Sequence, residues 1–131
     1  MLGIKQIVMV ALGGAVGSVA RYKLGGFVLH HTQTWSFPLS TFCVNVFGCF
    51  AIGVLAGLVE HHDLFSPSLR LFLFTGLLGG FTTFSAFGYE NLFLLRRGLM
   101  SISILYIALS VVCGLAAVFG GLKAVEGLWG K

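Results

Sequence analysis

Charged side chains are scarce in this sequence. Only 9% of its 131 residues are charged, eight of them basic and four acidic, whereas a typical soluble domain has about 25%. So few charges could not cover the surface of a soluble globular protein, and intrinsic disorder requires the opposite composition. Because hydrophobic residues make up 57% of the chain, the composition predicts an integral membrane protein with one domain, residues 1–131.

Several functional signatures are also missing. There is no zinc, haem or nucleotide-binding motif, and the lack of an ATP-binding loop excludes a primary pump. All four histidines fall in predicted loops, where none could act as a base for Ser85 or a cysteine, so we do not expect an enzyme. The net charge of +4 does not indicate a nucleic-acid partner. The basic residues lie between apolar blocks, as they do in proteins whose partner is the lipid bilayer.

The sequence does contain long apolar runs. Residues 39–59, 71–89 and 98–122 carry no charged side chain, and each run exceeds the about 18 residues that a transmembrane helix requires. A further run, residues 6–20, ends at Arg21, but the apolar pattern resumes soon afterwards. A secretory signal peptide is the alternative interpretation of that first run. We predict an all-α fold with four transmembrane helices, at approximately residues 4–29, 38–60, 68–96 and 99–124.

The distribution of positive charge favours neither orientation in the membrane. Four spans place both termini on one side, and four basic residues fall on each side of the bilayer. Without a charge bias a chain can insert both ways, and two opposite copies can pair with inverted symmetry. We therefore predict an antiparallel, dual-topology homodimer; the alternative is that the insertion machinery orients the chain despite the tie. The basic residues are Lys5, Arg70, Lys123 and Lys131 on one side, and Arg21, Lys23, Arg96 and Arg97 on the other.

Glycine is abundant, with 19 residues, and many glycines lie four residues apart within predicted spans. In a bilayer this spacing lets two helix backbones approach closely. The close contacts form either between subunits, which four short helices with little buried volume would favour, or within one chain. The pairs are Gly13 and Gly17, Gly53 and Gly57, and Gly76 and Gly80.

The third predicted span contains poor helix formers. Gly79-Gly80 is closely followed by Thr82-Thr83, and both residue types have low helix propensity. One continuous helix over residues 67–97 would measure about 46 Å, well beyond the ~30 Å hydrocarbon core. We predict a break at the glycines, near residues 79–83; a continuous helix is the alternative. Carbonyl groups exposed by a break are tolerated where they are buried in protein or coordinate an ion such as Na⁺.

Phenylalanine recurs every third residue after the glycines, at Phe81, Phe84 and Phe87, with Ser85 among them. Such a stripe usually faces lipid or packs against other helices. The edge of an aromatic ring carries positive partial charge and can also face an anion. The stripe is therefore a candidate part of an anion pathway.

Three polar side chains lie within or near the apolar spans. An unpaired amide costs several kcal/mol in the bilayer core, so Asn45 must bond either to another helix or to a transported ion. Arg21 and Glu90 are the charged residues nearest the membrane interior. Ionisable groups at that depth are candidates for function by default.

Three motifs resemble those of the Fluc (CrcB) fluoride channels. The first is Gly13-Gly14-Ala15-Val16-Gly17 leading to Arg21, the second runs from Ser40 to Asn45, and the third runs from Thr75 to Glu90. Members of this family are small four-span proteins of bacterial inner membranes, and they assemble as antiparallel, dual-topology homodimers. The resemblance covers nearly the whole chain. It implies passive export of cytoplasmic fluoride, which relieves fluoride toxicity.

The resemblance also implies roles for individual residues. Backbone carbonyls of Gly79 and Thr82 from each chain would hold a structural Na⁺ at the dimer centre, and Arg21 would lie at an aqueous vestibule. Ser85 and Glu90 join the pathway as further candidates because of their positions. The implied fluoride pathway includes Asn45, Phe84, Phe87, Thr41, Thr83, Tyr106 and Ser110.

This chain departs from some relatives at Ala86, Gly88 and Gly114, where hydroxyl groups are missing. The fluoride pathway would then have fewer polar groups, or water would take their place. The alternative function is a proton-coupled exporter, of fluoride or of small molecules, of the small dual-topology type. Such an exporter typically needs a carboxylate in its first span, which this sequence lacks, but Glu90 is a candidate proton site.

Overall fold

The computed structural model describes residues 3–129, and all regular structure in this range is helical. Four stretches are long and apolar enough to cross a membrane, which confirms the predicted all-α class with four apolar helices. The third stretch, Pro67–Arg96, is divided into α3 (residues 67–81) and α4 (Phe84–Arg96). The other three are single helices, namely α1 (Ile4–His31), α2 (Leu39–His62) and α5 (Met100–Trp129).

Short loops join consecutive spans. Asp63, with a left-handed φ of 47°, ends α2, and its carboxylate forms an ion pair with Arg70 near the start of α3. Pro67 begins α3, where its missing N–H leaves no bond unmade. Gly98 turns the chain from α4 into α5 with a φ of 73°, a conformation that glycine adopts without steric strain.

The break in the third span lies at two threonines. Thr82 (ψ 158°) and Thr83 (φ −149°, ψ 116°) are extended, whereas Gly79 has helical angles (φ −63°, ψ −36°). The break therefore lies within the predicted residues 79–83, but at the threonines and not at the glycines. β-Branched threonine favours extended backbone, and Gly80 instead serves a close contact, because a Cβ there would lie 2.6 Å from the Gly14 carbonyl oxygen.

Helix α3 packs against α1 backbone to backbone. Its central part, Leu71–Leu78, is a π-helix. Backbone atoms of this segment contact α1 directly. A Cβ on Gly76 would lie 2.9 Å from the Cα of Gly13, and a Cβ on Gly17 would overlap the Leu77 carbonyl oxygen. The two helices can approach this closely only because glycine stands at these positions.

A second glycine contact joins α2 to α5. A Cβ on Gly53 would overlap the Val118 carbonyl oxygen, and a Cβ on Gly121 would overlap the Phe50 carbonyl oxygen. These contacts lie within one chain, as does that of Gly57 with Val125. The small-residue spacing therefore reflects packing inside the chain and gives no support to association between subunits.

Gly17→Ala should lower the stability of the protein in detergent by about 1–3 kcal/mol, the usual effect of overpacking. The new methyl group would overlap the backbone of Leu77. Gly26→Ala is the matched control in the same helix, since nothing lies within 4 Å of a Cβ at that position. Denaturant unfolding followed by circular dichroism would compare the variants, and equal midpoints would contradict the close contact of α1 with α3.

Candidate functional site

An open groove of about 440 Å³ lies where the break faces α2 and α5. Most of its lining is apolar, with a small number of polar groups, as is common for ligand sites. Seven of the residues predicted for the anion pathway or the cation site line it together: Asn45, Gly79, Thr82, Thr83, Phe84, Phe87 and Ser110.

The amide of Asn45 is bonded to the backbone of the break. Its Oδ1 accepts a hydrogen bond from the Thr83 N–H at 2.8 Å, and its Nδ2 donates to the Thr83 carbonyl at 3.0 Å. Of the two partners expected for Asn45, another helix or a transported ion, the structure shows the other helix. A primary amide carries two N–H groups, so one of them is not used by this pair.

The two threonines of the break end α3 and begin α4. Both the hydroxyl and the N–H of Thr82 donate to the Leu78 carbonyl, at 2.8 and 2.9 Å. Thr83 is the N-cap of α4, where its hydroxyl accepts from the Ala86 N–H at 3.2 Å. Such a cap satisfies a donor that the first turn of a helix would leave unpaired. The Thr83 hydroxyl also lies 3.2 Å from that of Ser85.

Aromatic rings lead from the groove into the chain. The ring centroids of Phe84 and Phe87 are 5.5 Å apart, and those of Phe87 and Tyr106 are 5.0 Å apart. Phe37, from the loop before α2, also meets Tyr106 edge-on, at 5.2 Å. Phe84 is 83% exposed and Tyr106 is 0% exposed, so the series runs from the surface of the chain to its interior.

Glu90 accepts hydrogen bonds from two neighbouring helices. The Thr41 hydroxyl of α2 donates to Oε1 at 2.6 Å, and the Tyr106 hydroxyl of α5 donates to Oε2 at 2.8 Å. An acidic group within a span requires such partners. The structure thus brings three predicted site residues into one cluster, in which both carboxylate oxygens are occupied.

A second cavity of about 440 Å³ shares Thr83 with the groove. Arg21 of α1 lines it together with Thr41 and Ser85, and arginine is always ionised in proteins. The Ser40 hydroxyl, which donates to the Gly25 carbonyl at 2.9 Å, ties α2 to α1 beside this cavity. Most of the predicted residues therefore line either the mainly apolar groove or the cavity that contains Arg21, whereas Glu90 and Tyr106 line neither.

The hydroxyl of Ser110 is buried and has no hydrogen-bond partner within residues 3–129. Leaving a buried polar group unpaired costs about 1–3 kcal/mol, and most such groups in proteins are paired. Ser110 is also one of the residues that line the groove, so a buried donor without a partner lies beside this space.

The positions that lack hydroxyl groups differ in their surroundings, and Gly114 is buried whereas Gly88 is exposed. A Cβ on Gly88 would have nothing within 4 Å, and a Cβ on Gly114 would be 3.4 Å from the Cys49 sulfur. Ala86 lines the second cavity. A Cβ is therefore accommodated without a clash at both glycines.

A buried polar pair that the sequence pattern did not indicate joins α4 to α5. The Asn91 Nδ2 donates to the Phe87 carbonyl at 2.8 Å, and its Oδ1 accepts from the Ser103 hydroxyl at 2.9 Å. Asn91 is 7% exposed and Ser103 is 1% exposed. The argument that a buried amide needs a partner applies to Asn91 as it does to Asn45, but Asn91 lies outside the charge-free runs, next to Glu90.

Comparison with known proteins gives consistent matches over most of the chain. The family model described as CrcB-like protein, Camphor Resistance (CrcB), matches residues 8–122. A fluoride-specific ion channel FluC from Methylobacillus flagellatus is 54% identical, covering 92% of this chain and 94% of the relative. Proteins with the same name from Flavobacterium psychrophilum and Rhizobium etli are 48% and 49% identical, covering 90% and 94% of this chain and 94% and 98% of the relatives.

Ser103→Ala should destabilise the protein by about 1–3 kcal/mol, because it leaves the buried Asn91 Oδ1 without its donor. Ser110→Ala is the matched control two turns later in α5. It removes a hydroxyl that has no partner in the described part of the chain, so it should not reduce stability. Unfolding in detergent would compare the two variants, and a larger loss for Ser110→Ala would contradict the assigned hydrogen bonds.

Proposed function

The chain belongs to the CrcB family, and on that premise we propose that it is a fluoride-selective ion channel. It would let cytoplasmic fluoride leave a bacterial cell passively across the inner membrane, as a multi-pass membrane protein, and so relieve fluoride toxicity. The observation that carries the proposal is the unpaired Ser110 hydroxyl in the groove that Asn45 also lines. A buried donor of this kind needs a partner, and a small anion would supply one.

The chemistry of the groove suits fluoride. Fluoride is small and strongly hydrated, so a selective pore must replace its water with good hydrogen-bond donors. The residues that line the groove carry such donors: the Ser110 hydroxyl, the unused N–H of Asn45 and the ring edges of Phe84 and Phe87. None of these groups carries a full positive charge, so a bound anion can be released again.

Arg21 would attract anions into the second cavity. Its charge acts over several ångströms in this cavity. The hydroxyls of Thr41 and Tyr106 donate to Glu90, so fluoride and this carboxylate would compete for the same donors. Such competition keeps binding weak enough for conduction, which requires that an ion both enter and leave.

An antiparallel homodimer completes the proposed pathway. Phe84 is 83% exposed on a single chain, and the groove that it lines is open on one side. Polar groove atoms facing acyl chains would be costly in lipid, and a second copy would enclose them. The equal number of basic residues on the two sides of the membrane supports opposite orientations of the two copies.

A structural Na⁺ on the carbonyls of Gly79 and Thr82 forms part of this proposal. In a continuous helix those carbonyls would accept from the N–H groups of Thr83 and Ala86, four residues later. Here the two N–H groups are bonded to the Asn45 side chain and to the Thr83 hydroxyl. Among the described residues no carboxylate lines the groove, and neutral carbonyl oxygens suit a monovalent cation better than Ca²⁺ or Mg²⁺. When bound, Na⁺ would supply positive potential near the anion pathway and stabilise the dimer by linkage.

A proton-coupled exporter is not favoured. The names of the most similar relatives describe ion channels, and Glu90, the candidate proton site, is engaged by two hydroxyl donors. No feature of residues 3–129 requires coupling to a second transported species.

Liposomes that contain the purified protein should release fluoride down its gradient and release chloride far more slowly. Ser110→Ala should slow fluoride release about tenfold, the effect of losing one hydrogen bond to a charged group. Ser101→Ala, which removes an exposed hydroxyl from the same helix, is the matched control and should keep the wild-type rate. Ion-selective electrodes measure both fluxes. Equal fluoride and chloride rates would refute the proposed function, whereas wild-type flux in Ser110→Ala would remove Ser110 from the pathway.

A reporter fused to the C-terminus should signal from both faces of the membrane. Replacing Gln33 and Thr34, which are exposed in the loop between α1 and α2, with lysine should shift the ratio, because cytoplasmic loops retain positive charge. The same positions changed to serine provide the control. Of the basic residues counted for this argument, Lys131 lies outside the described residues. A reporter confined to one face in the unmodified protein would contradict the antiparallel dimer.

A further inference from the structure

We propose that Asn45 is a positioning residue for the cation site: it holds the break in the third span open and so keeps the Gly79 carbonyl free. This role differs from donating a hydrogen bond to a fluoride ion in the pathway, although the Asn45 side chain can serve both roles. The inference rests on the proposed Na⁺ site. It means that a residue of α2 supports a cation site whose carbonyl ligands come from the third span.

The two free carbonyls are kept free in different ways. The Thr82 carbonyl loses its helical donor to a local cap, because the Ala86 N–H bonds to the neighbouring Thr83 hydroxyl at 3.2 Å. The Gly79 carbonyl loses its donor to another helix, because the Thr83 N–H bonds to Asn45 at 2.8 Å. The bond of the Ala86 N–H is local in sequence. The bond of the Thr83 N–H to Asn45 forms only when α2 packs beside the break.

The pairing with Asn45 also explains why Thr83 stays extended. With φ −149° and ψ 116°, Thr83 turns its N–H and carbonyl away from the helix axis, and Asn45 satisfies both groups. Without that amide, two backbone groups would lack partners within an apolar span, where water cannot replace them. The chain would then gain by returning the Thr83 N–H to the Gly79 carbonyl, which closes the break.

Backbone strain at Gly79 does not account for the break. Gly79 has ordinary helical angles, and a Cβ there would meet its nearest atom, the Phe74 carbonyl oxygen, at 3.8 Å. The position therefore imposes no break of its own. The tertiary contact with Asn45 is what separates this carbonyl from its helical donor.

The test uses ²²Na⁺ retained by the purified protein after dialysis against Na⁺-free buffer, a measurement that does not depend on fluoride flux. Asn45→Leu keeps the size of the side chain and removes both hydrogen bonds. We expect it to retain Na⁺ about tenfold less well than wild type, in line with the loss of one or two buried hydrogen bonds. Cys49→Ala changes another residue that lines the same groove and that has no assigned role, and it should retain Na⁺ as wild type does.

The possible outcomes distinguish the positioning role of Asn45 from the proposed Na⁺ site and from the proposed channel function. If wild type and Asn45→Leu retain Na⁺ equally, the positioning role is wrong and the cation site stands. If wild type retains no Na⁺, both are wrong, while fluoride flux still decides the channel function. Should Asn45→Leu fail to give a folded protein by size-exclusion chromatography, Asn45→Gln takes its place. Gln keeps the amide but shifts it by one methylene, so weakened retention supports the role and unchanged retention overturns it.

Discussion

A helix can be interrupted inside a bilayer only where the backbone groups that it releases find other partners. In this protein that requirement is met at Thr83 by one side chain from a neighbouring helix. Asn45 pairs with both the N–H and the carbonyl of the extended residue, while the Thr83 hydroxyl begins the next helix. The position of α2 beside the break is thus a condition for the break itself.

Glycine contacts hold the helices in two closely packed pairs. α1 meets α3 through Gly13, Gly17 and Gly76, and α2 meets α5 through Gly53 and Gly121. Each pair of helices comes close enough for backbone atoms to touch, which supplies the dense packing on which helix association in lipid depends. The groove lies between the two pairs, where side chains instead of backbones define the space.

The buried hydroxyl groups of this chain have different roles, which depend on their hydrogen-bond partners. The Ser103 hydroxyl bonds Asn91 and holds α4 against α5, whereas the hydroxyls of Thr41 and Tyr106 converge on Glu90. The Ser110 hydroxyl has no partner within the described residues. A buried donor that is already satisfied stabilises the fold, and one that is left free can bond a ligand, so the arrangement of partners decides which hydroxyls are available to an anion.

The sequence by itself determined the membrane class, the four apolar helices and the family, because a charge-free run of sufficient length has few other stable structures and the motifs around Asn45 and Glu90 are long. It also placed the irregular segment within a few residues. It did not determine which residues break the helix, since Gly79, Gly80, Thr82 and Thr83 are all poor helix formers. Only the tertiary structure decided that Gly80 would pack against Gly14 and that Thr83 would pair with Asn45. The partner of Asn45, and the pairing of Asn91 with Ser103, depend on which helices become neighbours, and that is set by long-range packing that no local pattern encodes.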